Sequence, residues 1–393
     1  RQAEAERQRR AARSRRQRQA MASALVVLVG LAVVVSALAW RIARESERAE
    51  KEGQAAARVA DFLVSLFELS DPFAEAPLPG QDREFTARDI LDQGAQRLDH
   101  ELTDQPQARA RLMNTIGRVY QRLGLYPSAQ VEFEKALALR RQTSGTSHPD
   151  VEESLHDLGW LLHVEGEDER AEAILRELLA RRRASLGPEH LYVANTLHDL
   201  AWVAQARGDL EEAERLAREA LAVKRRRLPA AHPAIAASLN LLAFVLQKRG
   251  DLTGAEKFAR EAVAMTRRLW GEHPDVAESL NNLARVLLAE GDAQAAEDPA
   301  REALAMRRRL LGGEHPAVAQ SLHDLGAVLA AKGDYPGAEA LFAESQALYT
   351  RLLGADHPGV AMNRESLAAL RAKRSRAPTA GSPALGSRAG EHP

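Results

Sequence analysis

The sequence predicts an all-α fold: a solenoid of stacked helix-turn-helix copies, preceded by a single transmembrane helix. Three observations carry this reading. Ala, Leu, Arg and Glu dominate the composition and aromatic residues make up only 4%, the mix of a helical chain. A His-Pro pair recurs at a nearly constant interval through the C-terminal two thirds. A run of twenty uncharged, apolar residues lies close to the N-terminal side.

The period organises most of the chain. His-Pro stands at His148-Pro149, His232-Pro233, His273-Pro274, His315-Pro316 and His357-Pro358, and His190-Leu191 fills the gap with the proline lost. The histidines are 42, 42, 41, 42 and 42 residues apart. A degenerate copy begins near Pro106, so six copies start near 106, 148, 190, 232, 273 and 315, and a half copy starts at 357.

Each copy is numbered here from its histidine. Positions 8, 11, 12 and 15 are apolar or small throughout; one copy reads Leu155, Leu158, Gly159, Leu162. The spacing i, i+3, i+4, i+7 is the buried stripe of one helix. Position 12 is always Gly or Ala, which admits a close neighbour. Position 19 is Gly in all six copies (Gly124, Gly166, Gly208, Gly250, Gly291, Gly333), where a left-handed residue ends the helix. Position 24 is Ala in all six and marks a second, tightly packed helix. Proline after the histidine suits a first helical turn. One copy cannot bury its own stripes, so the copies must stack. Pro299 departs from the pattern. It falls inside a second helix, where it removes one hydrogen bond and is expected to kink the chain.

The N-terminal residues read differently. Residues 1–20 hold eight arginines against Glu4 and Glu6. Residues 21–40, MASALVVLVGLAVVVSALAW, carry no charge and are long enough to span a hydrocarbon core as a helix. Their valines and leucines contribute roughly −3 to −6 kcal/mol to insertion. Trp40 stands where an interfacial anchor would. The basic excess before the segment predicts a cytoplasmic N-terminus and extracytoplasmic repeats. A cleaved signal peptide is the rival, since Ala37-Leu38-Ala39 has the small-x-small form. The chain opens on Arg1 rather than Met, as a fragment or a processed product would. Residues 41–105 read as a helical linker with amphipathic helices in AARVADFLVSLFELSDP and FTARDILDQGAQRLDHEL. Residues 106–372 form the repeats, and 373–393 read as a disordered tail.

Several function classes fall away. Lys and Arg number 54 against 55 Asp and Glu, which gives no electrostatic case for nucleic acid. There is no cysteine, hence no disulfide, thiolate metal site or thiol nucleophile. No phosphate-cradling glycine loop, nucleophile elbow, HExxH or kinase signature occurs, so no catalytic residue, cofactor or metal is expected. His156 and His163 lie seven residues apart on one helix with Trp160 between them, about 10.5 Å, too far to share one metal ion. The histidines at position 1 read as helix starts.

These columns resemble the tetratricopeptide repeat in its 42-residue, kinesin-light-chain form. SLNNLARVLLAEGD, Ser279 to Asp292, is very similar to that family's consensus, and the resemblance covers residues 106–372. It implies a right-handed superhelix whose concave groove binds protein or peptide. The equivalent groove stripe here is positions 9, 13 and 16. It comprises Asn114, Arg118 and Gln121; His156, Trp160 and His163; His198, Trp202 and Gln205; Asn240, Phe244 and Gln247; Asn281, Arg285 and Leu288; and His323 with Ala327 and Ala330. Amides and imidazoles can bond an extended backbone while Trp160, Trp202 and Phe244 cover its apolar side chains. A partly packed stripe without a ligand is the alternative. The run from Phe62 through Asp71-Pro72 and Ala87-Arg88-Asp89-Ile90-Leu91 to Ile116-Gly117-Arg118-Val119-Tyr120 resembles the extracytoplasmic region of bacterial transmembrane serine/threonine kinases. That implies the sensor or docking part of a signalling protein. The alternative is a stand-alone anchored scaffold. Oligomeric state is not readable from the sequence.

Overall fold

The computed structural model describes residues 87–145 and 148–376. The basic segment 1–20, the apolar segment 21–40 with its membrane orientation, the linker as far as residue 86 and the chain beyond 376 lie outside the described residues. The described residues form fourteen α-helices and no strand. None of these helices is long and apolar enough to cross a membrane.

Two compact units part between Thr146 and Ser147. The first holds α1 (Ala87–Leu98), α2 (Pro106–Arg122) and α3 (Tyr126–Ser144). α1 is the amphipathic helix expected at the end of the linker. Its Leu98 is fully buried, and its Asp92 accepts a 2.7 Å hydrogen bond from the Tyr120 hydroxyl of α2. Burial raises the Tyr120 hydroxyl well above its ordinary value, and the bond to Asp92 adds to that.

The second unit holds α4 (Pro149–Val164), α5 (Asp168–Leu186), α6 (Leu191–Ala206), α7 (Leu210–Arg227), α8 (Pro233–Arg249), α9 (Leu252–Trp270), α10 (Pro274–Ala289), α11 (Ala293–Leu311), α12 (Pro316–Ala331), α13 (Tyr335–Leu353) and α14 (Pro358–Arg376). Even-numbered helices are the first helices of their copies. Each packs on its own second helix and touches the first helix of the next copy. α14 is the half copy. It continues to Arg376, past the expected boundary at residue 372, because no glycine or proline interrupts it before Pro378.

The position-1 histidines do start these helices. In His148, His190, His232, His273, His315 and His357, Nδ1 accepts the backbone N–H two residues on, at 3.1–3.2 Å. The ring therefore caps one of the four N–H groups a helix start leaves unpaired. The position-19 glycines all adopt φ between 73° and 88°, the region closed to most side chains. Asp209, Asp251, Asp292 and Asp334 then cap the second helices. α11 runs unbroken from Ala293 to Leu311 through Pro299.

Packing between the two helices of a copy follows a size rule. A Cβ added at Gly159 would lie 2.9 Å from Leu175, and one at Gly326 would lie 2.8 Å from Phe342. Where position 12 is Ala, as in Ala201, Ala243 and Ala284, the facing residue at position 28 is Ala217, Ala259 or Ala300, and all six are buried. Each pair keeps the local volume filled, as close packing requires. On the second helices an Arg at position 36 pairs with a Glu at position 30 of the next copy: Arg183 with Glu219, Arg225 with Glu261, Arg267 with Glu302, Arg308 with Glu344.

Candidate functional site

The stripe at positions 9, 13 and 16 lies on the first helices, beside the apolar stripe that fills the core. In the second unit it lines a pocket of about 480 Å³. Trp202, Phe244 and His198 form one part of the wall, Asn240 and Asn281 another, and Glu278, Arg285, Arg307 and Asp324 the rest. The Trp202 and Phe244 rings are 5.6 Å apart and tilted by 36°. The Arg285 guanidinium lies 5.1 Å over Phe244, with Lys248 at 5.5 Å. Such stacking holds the aromatic wall and the cation together.

The position-9 side chains differ from expectation. They tie one copy to the next. Asn240 Nδ2 donates to Ser279 Oγ at 3.0 Å, and Asn281 Nδ2 donates to Ser321 Oγ at 2.8 Å. His198 Nδ1 lies 3.4 Å from Ser238 Oγ, and His323 Nδ1 lies 2.9 Å from Asn363 Oδ1. Both asparagines are nearly fully buried, yet Asn240 Oδ1 and Asn281 Oδ1 have no hydrogen-bond partner. Native buried polar atoms are rarely left in this way.

His156 is arranged differently. Nε2 is 3.2 Å from Asp199 Oδ2, and Nδ1 is 3.6 Å from Asp157 Oδ1. The two carboxylates, Asp157 first and Asp199 next, raise its pKa to about 9, so the ring is a cation at neutral pH that faces both of them. Burial, and then the Lys224 ammonium, lower His198 to about 4. His163 Nδ1 lies 2.6 Å from Asp168 Oδ1, and its ring is 5.3 Å from Trp160. His163 therefore faces the second helix of its own copy. Gln247 Nε2 donates to the Arg285 carbonyl at 3.0 Å, and Gln205 is half-buried. Asn114 and Arg118 belong to the first unit, where Asn114 is buried and Arg118 half-buried.

Three columns escaped the sequence reading. Position 7 is Ser154, Thr196, Ser238, Ser279, Ser321 and Asn363. Position 35 supplies buried cations, with Arg182 Nη1 donating to Thr196 at 2.8 Å, Lys224 Nζ to Ser238 at 3.0 Å and Arg307 Nη1 to Ser321 at 3.0 Å. Burial lowers Lys224 to about 8. Position 10 adds the buried carboxylates Asp199 and Asp324, and burial raises Asp324 above the usual carboxylate range. Aligning the polar columns as well as the apolar ones would have exposed position 7, which is a short polar residue in every copy from 148 onward.

Comparison with known proteins identifies the repeats. Two tetratricopeptide-repeat family models match, one over residues 108–184, 162–226 and 234–309 and the other over 318–359. Together they span more than half of the chain. Among solved structures, a tetratricopeptide repeat protein from Parabacteroides merdae aligns with a TM-score of 0.54 at 14% identity, over 80% of this chain and 98% of that one. A Rap protein complexed with Competence and Sporulation Factor aligns at 0.51 and 12% identity, over 73% and 80%. A Podosopora anserina putative kinesin light chain with nearly identical TPR-like repeats is 28% identical over 53% of this chain and 98% of its own, with a TM-score of 0.46. No curated protein matches the chain.

Proposed function

The chain belongs to the tetratricopeptide-repeat family, and on that footing we propose that it is an anchored docking module that holds an extended protein or peptide segment in the groove of its second unit. One observation carries this reading: buried, unpartnered Asn240 Oδ1 and Asn281 Oδ1 sit beside the Trp202–Phe244 wall in one pocket. Unpaired buried acceptors are costly unless a ligand supplies donors, about 1–3 kcal/mol each. Aromatic plates next to such acceptors suit a backbone flanked by apolar side chains. The groove residues of this reading are Trp202, Asn240, Phe244, Asn281 and Arg285, with Trp160 at the same position of the preceding copy, outside the pocket itself.

The anchor is residues 21–40, with the N-terminus cytoplasmic and the repeats outside, as the basic excess before the segment supports. The parent protein is a bacterial serine/threonine kinase signalling protein, in which this chain is the sensor or docking region. The linker resemblance from Phe62 to Tyr120 supports that, and a stand-alone scaffold is the alternative. A reading frame upstream that encodes no kinase would leave the scaffold.

The test of the groove is Trp160→Ala combined with Trp202→Ala. Retention of protein partners from the organism's own extract should fall at least tenfold, with helical content nearly unchanged. A variant that unfolds instead would make those rings core, and the groove assignment would fail. Protease added to cells with a permeabilised outer layer tests the topology, because protected repeats would contradict it.

A further inference from the structure

We propose that the inner row of the groove is locked in one hydrogen-bond direction, presenting acceptors only, and that it therefore selects a peptide segment through donors, a lysine or arginine side chain among them. The proposal rests on the peptide-groove reading above and deepens it.

The lock lies behind the row. A hydroxyl has one proton and two lone pairs. At Ser279 the proton goes to the Asp275 carbonyl at 3.0 Å, so Oγ can only accept from Asn240. The Asn240 amide must then turn its N–H toward Ser279, which leaves its buried oxygen unpartnered in the wall of the pocket. At Ser238 the proton goes to the Ala234 carbonyl at 3.1 Å and Lys224 donates to one lone pair. The remaining lone pair faces His198 Nδ1, so the proton of that ring sits on Nδ1 and Nε2 is the acceptor. At Ser321 one lone pair takes Arg307 and the other takes Asn281. The next rung repeats the logic with an amide. Asn363 Nδ2 donates to Ser345 Oγ at 2.9 Å and to the Gly359 carbonyl at 2.7 Å, so Oδ1 accepts from His323 Nδ1. In four successive copies the groups left to accept are thus His198 Nε2, Asn240 Oδ1, Asn281 Oδ1 and His323 Nε2, and the first three residues line the pocket.

Asp324 Oδ2 lines the same pocket, is buried and lacks a partner. The pocket also holds two guanidinium groups. Arg307 directs Nη1 backward to the Ala317 carbonyl and Ser321 and leaves its buried Nε unpartnered, and Arg285 lies over Phe244, so the acceptor-only character belongs to the position-9 row and not to the whole pocket. Burial raises the Glu278 and Asp324 carboxyls above their ordinary range, so the selectivity is assigned to the hydrogen-bond direction of the position-9 row rather than to net charge. Unmatched acceptors reject a carboxylate and accept an ammonium, a guanidinium or a backbone N–H. Ser279 and Ser321 are positioning residues, because they fix the amides without facing the ligand.

Two measurements on the full chain test this. Nitrogen NMR of histidine-labelled protein, assigned with His198→Asn and His323→Asn, should show Nδ1–H rings with bare Nε2 at both positions at pH 7. An Nε2–H ring at either one overturns the lock. Selection from a displayed random-peptide library should enrich Lys and Arg at least threefold over Asp and Glu. Ser279→Ala with Ser321→Ala should erase that bias, whereas Ser279→Thr should keep it, since Thr196 holds the same place in another copy. Acidic binders would sink this proposal alone. A library yielding no binder at all would sink the groove reading and this proposal together.

Discussion

The rung between α4 and α6 and the rungs among α8, α10 and α12 share one backbone register but not one chemistry. The first is charged and closed by ion pairs: His156 lies against Asp157 and Asp199, and Asp199, whose Oδ2 makes no hydrogen bond, also offsets buried Lys224. In the later, open rungs the copies meet at position 9 through neutral groups, with amide N–H groups tied back to serines and amide oxygens left unpartnered, while Arg307 and Asp324 stand beside them. The difference shows that the repeat backbone does not dictate where a ligand can bind. It fixes which side chains meet. The residue types at positions 7, 9, 10 and 35 then decide whether a rung closes on itself or is left wanting a partner.

The largest effect should come from breaking the closed rung. Asp199→Ala leaves Lys224 buried without its counter-charge and deprives His156 of one partner. Removing one member of a buried charge pair costs about 3–5 kcal/mol. Asn281→Ala, at an open rung, removes one neutral bond and should cost about 1 kcal/mol. Urea denaturation of the two variants checks the ratio, and equal losses would remove the distinction between the rungs.

Titration sharpens the same contrast. His156 has a folded pKa of about 9, above its ordinary value. Its stabilisation is complete below pH 6.5 and is lost as the pH rises through 9. The side chain is 38% exposed, so solvent screening limits the loss to about 1–2 kcal/mol. His198 has a folded pKa of about 4. Its contribution is present above pH 6.5 and is lost as the pH falls through 4, by about 3 kcal/mol. Lys224, depressed to about 8, opposes His156 between pH 8 and 10.5, because the folded state there binds fewer protons than the unfolded chain. Comparing the wild type with His156→Asn and with His198→Asn separates the limbs. If His156→Asn keeps the full alkaline loss, the charged rung is not its source.

What the sequence made legible follows from what repeats. Period, helix ends and the core stripe are written in residue types whose role is local. A Gly at φ > 0, a Pro in a first turn and a Leu every third or fourth position carry the same meaning in any copy. The histidine caps were legible as helix starts, though not as Nδ1 acceptors. The wall of Trp202 and Phe244 was also legible as part of one stripe. The fate of His156, His163 and the two buried asparagines was not, because it depends on contacts between copies about forty residues apart. Asp199 reaches His156 from the next copy, and Ser279 reaches Asn240 likewise. A single polar letter does not say which of its neighbours in space will take its proton. The size rule is intermediate. Gly326 with Phe342 and Ala284 with Ala300 can be read as compensating pairs only once position 28 is known to face position 12.

The smallest expected effect serves as the control on the whole contrast. The outer Arg–Glu ladder repeats the same residue pair beside the closed rung, at Arg183–Glu219, where Arg215 also reaches Glu219, and beside the open ones, at Arg308–Glu344. Both pairs lie at the surface, with Glu219 half-buried, so each should contribute about 0.2–1 kcal/mol and fade as salt is raised. Double-mutant cycles with alanine at each pair should return the same value within a few tenths of a kcal/mol. Equality would mean that the charge on His156, Asp199 and Lys224 acts only along the inner row. A clearly larger coupling at Arg183–Glu219 would mean that the closed rung also stiffens the outer face of its copies, and the rungs would then differ in packing as well as in hydrogen-bond chemistry.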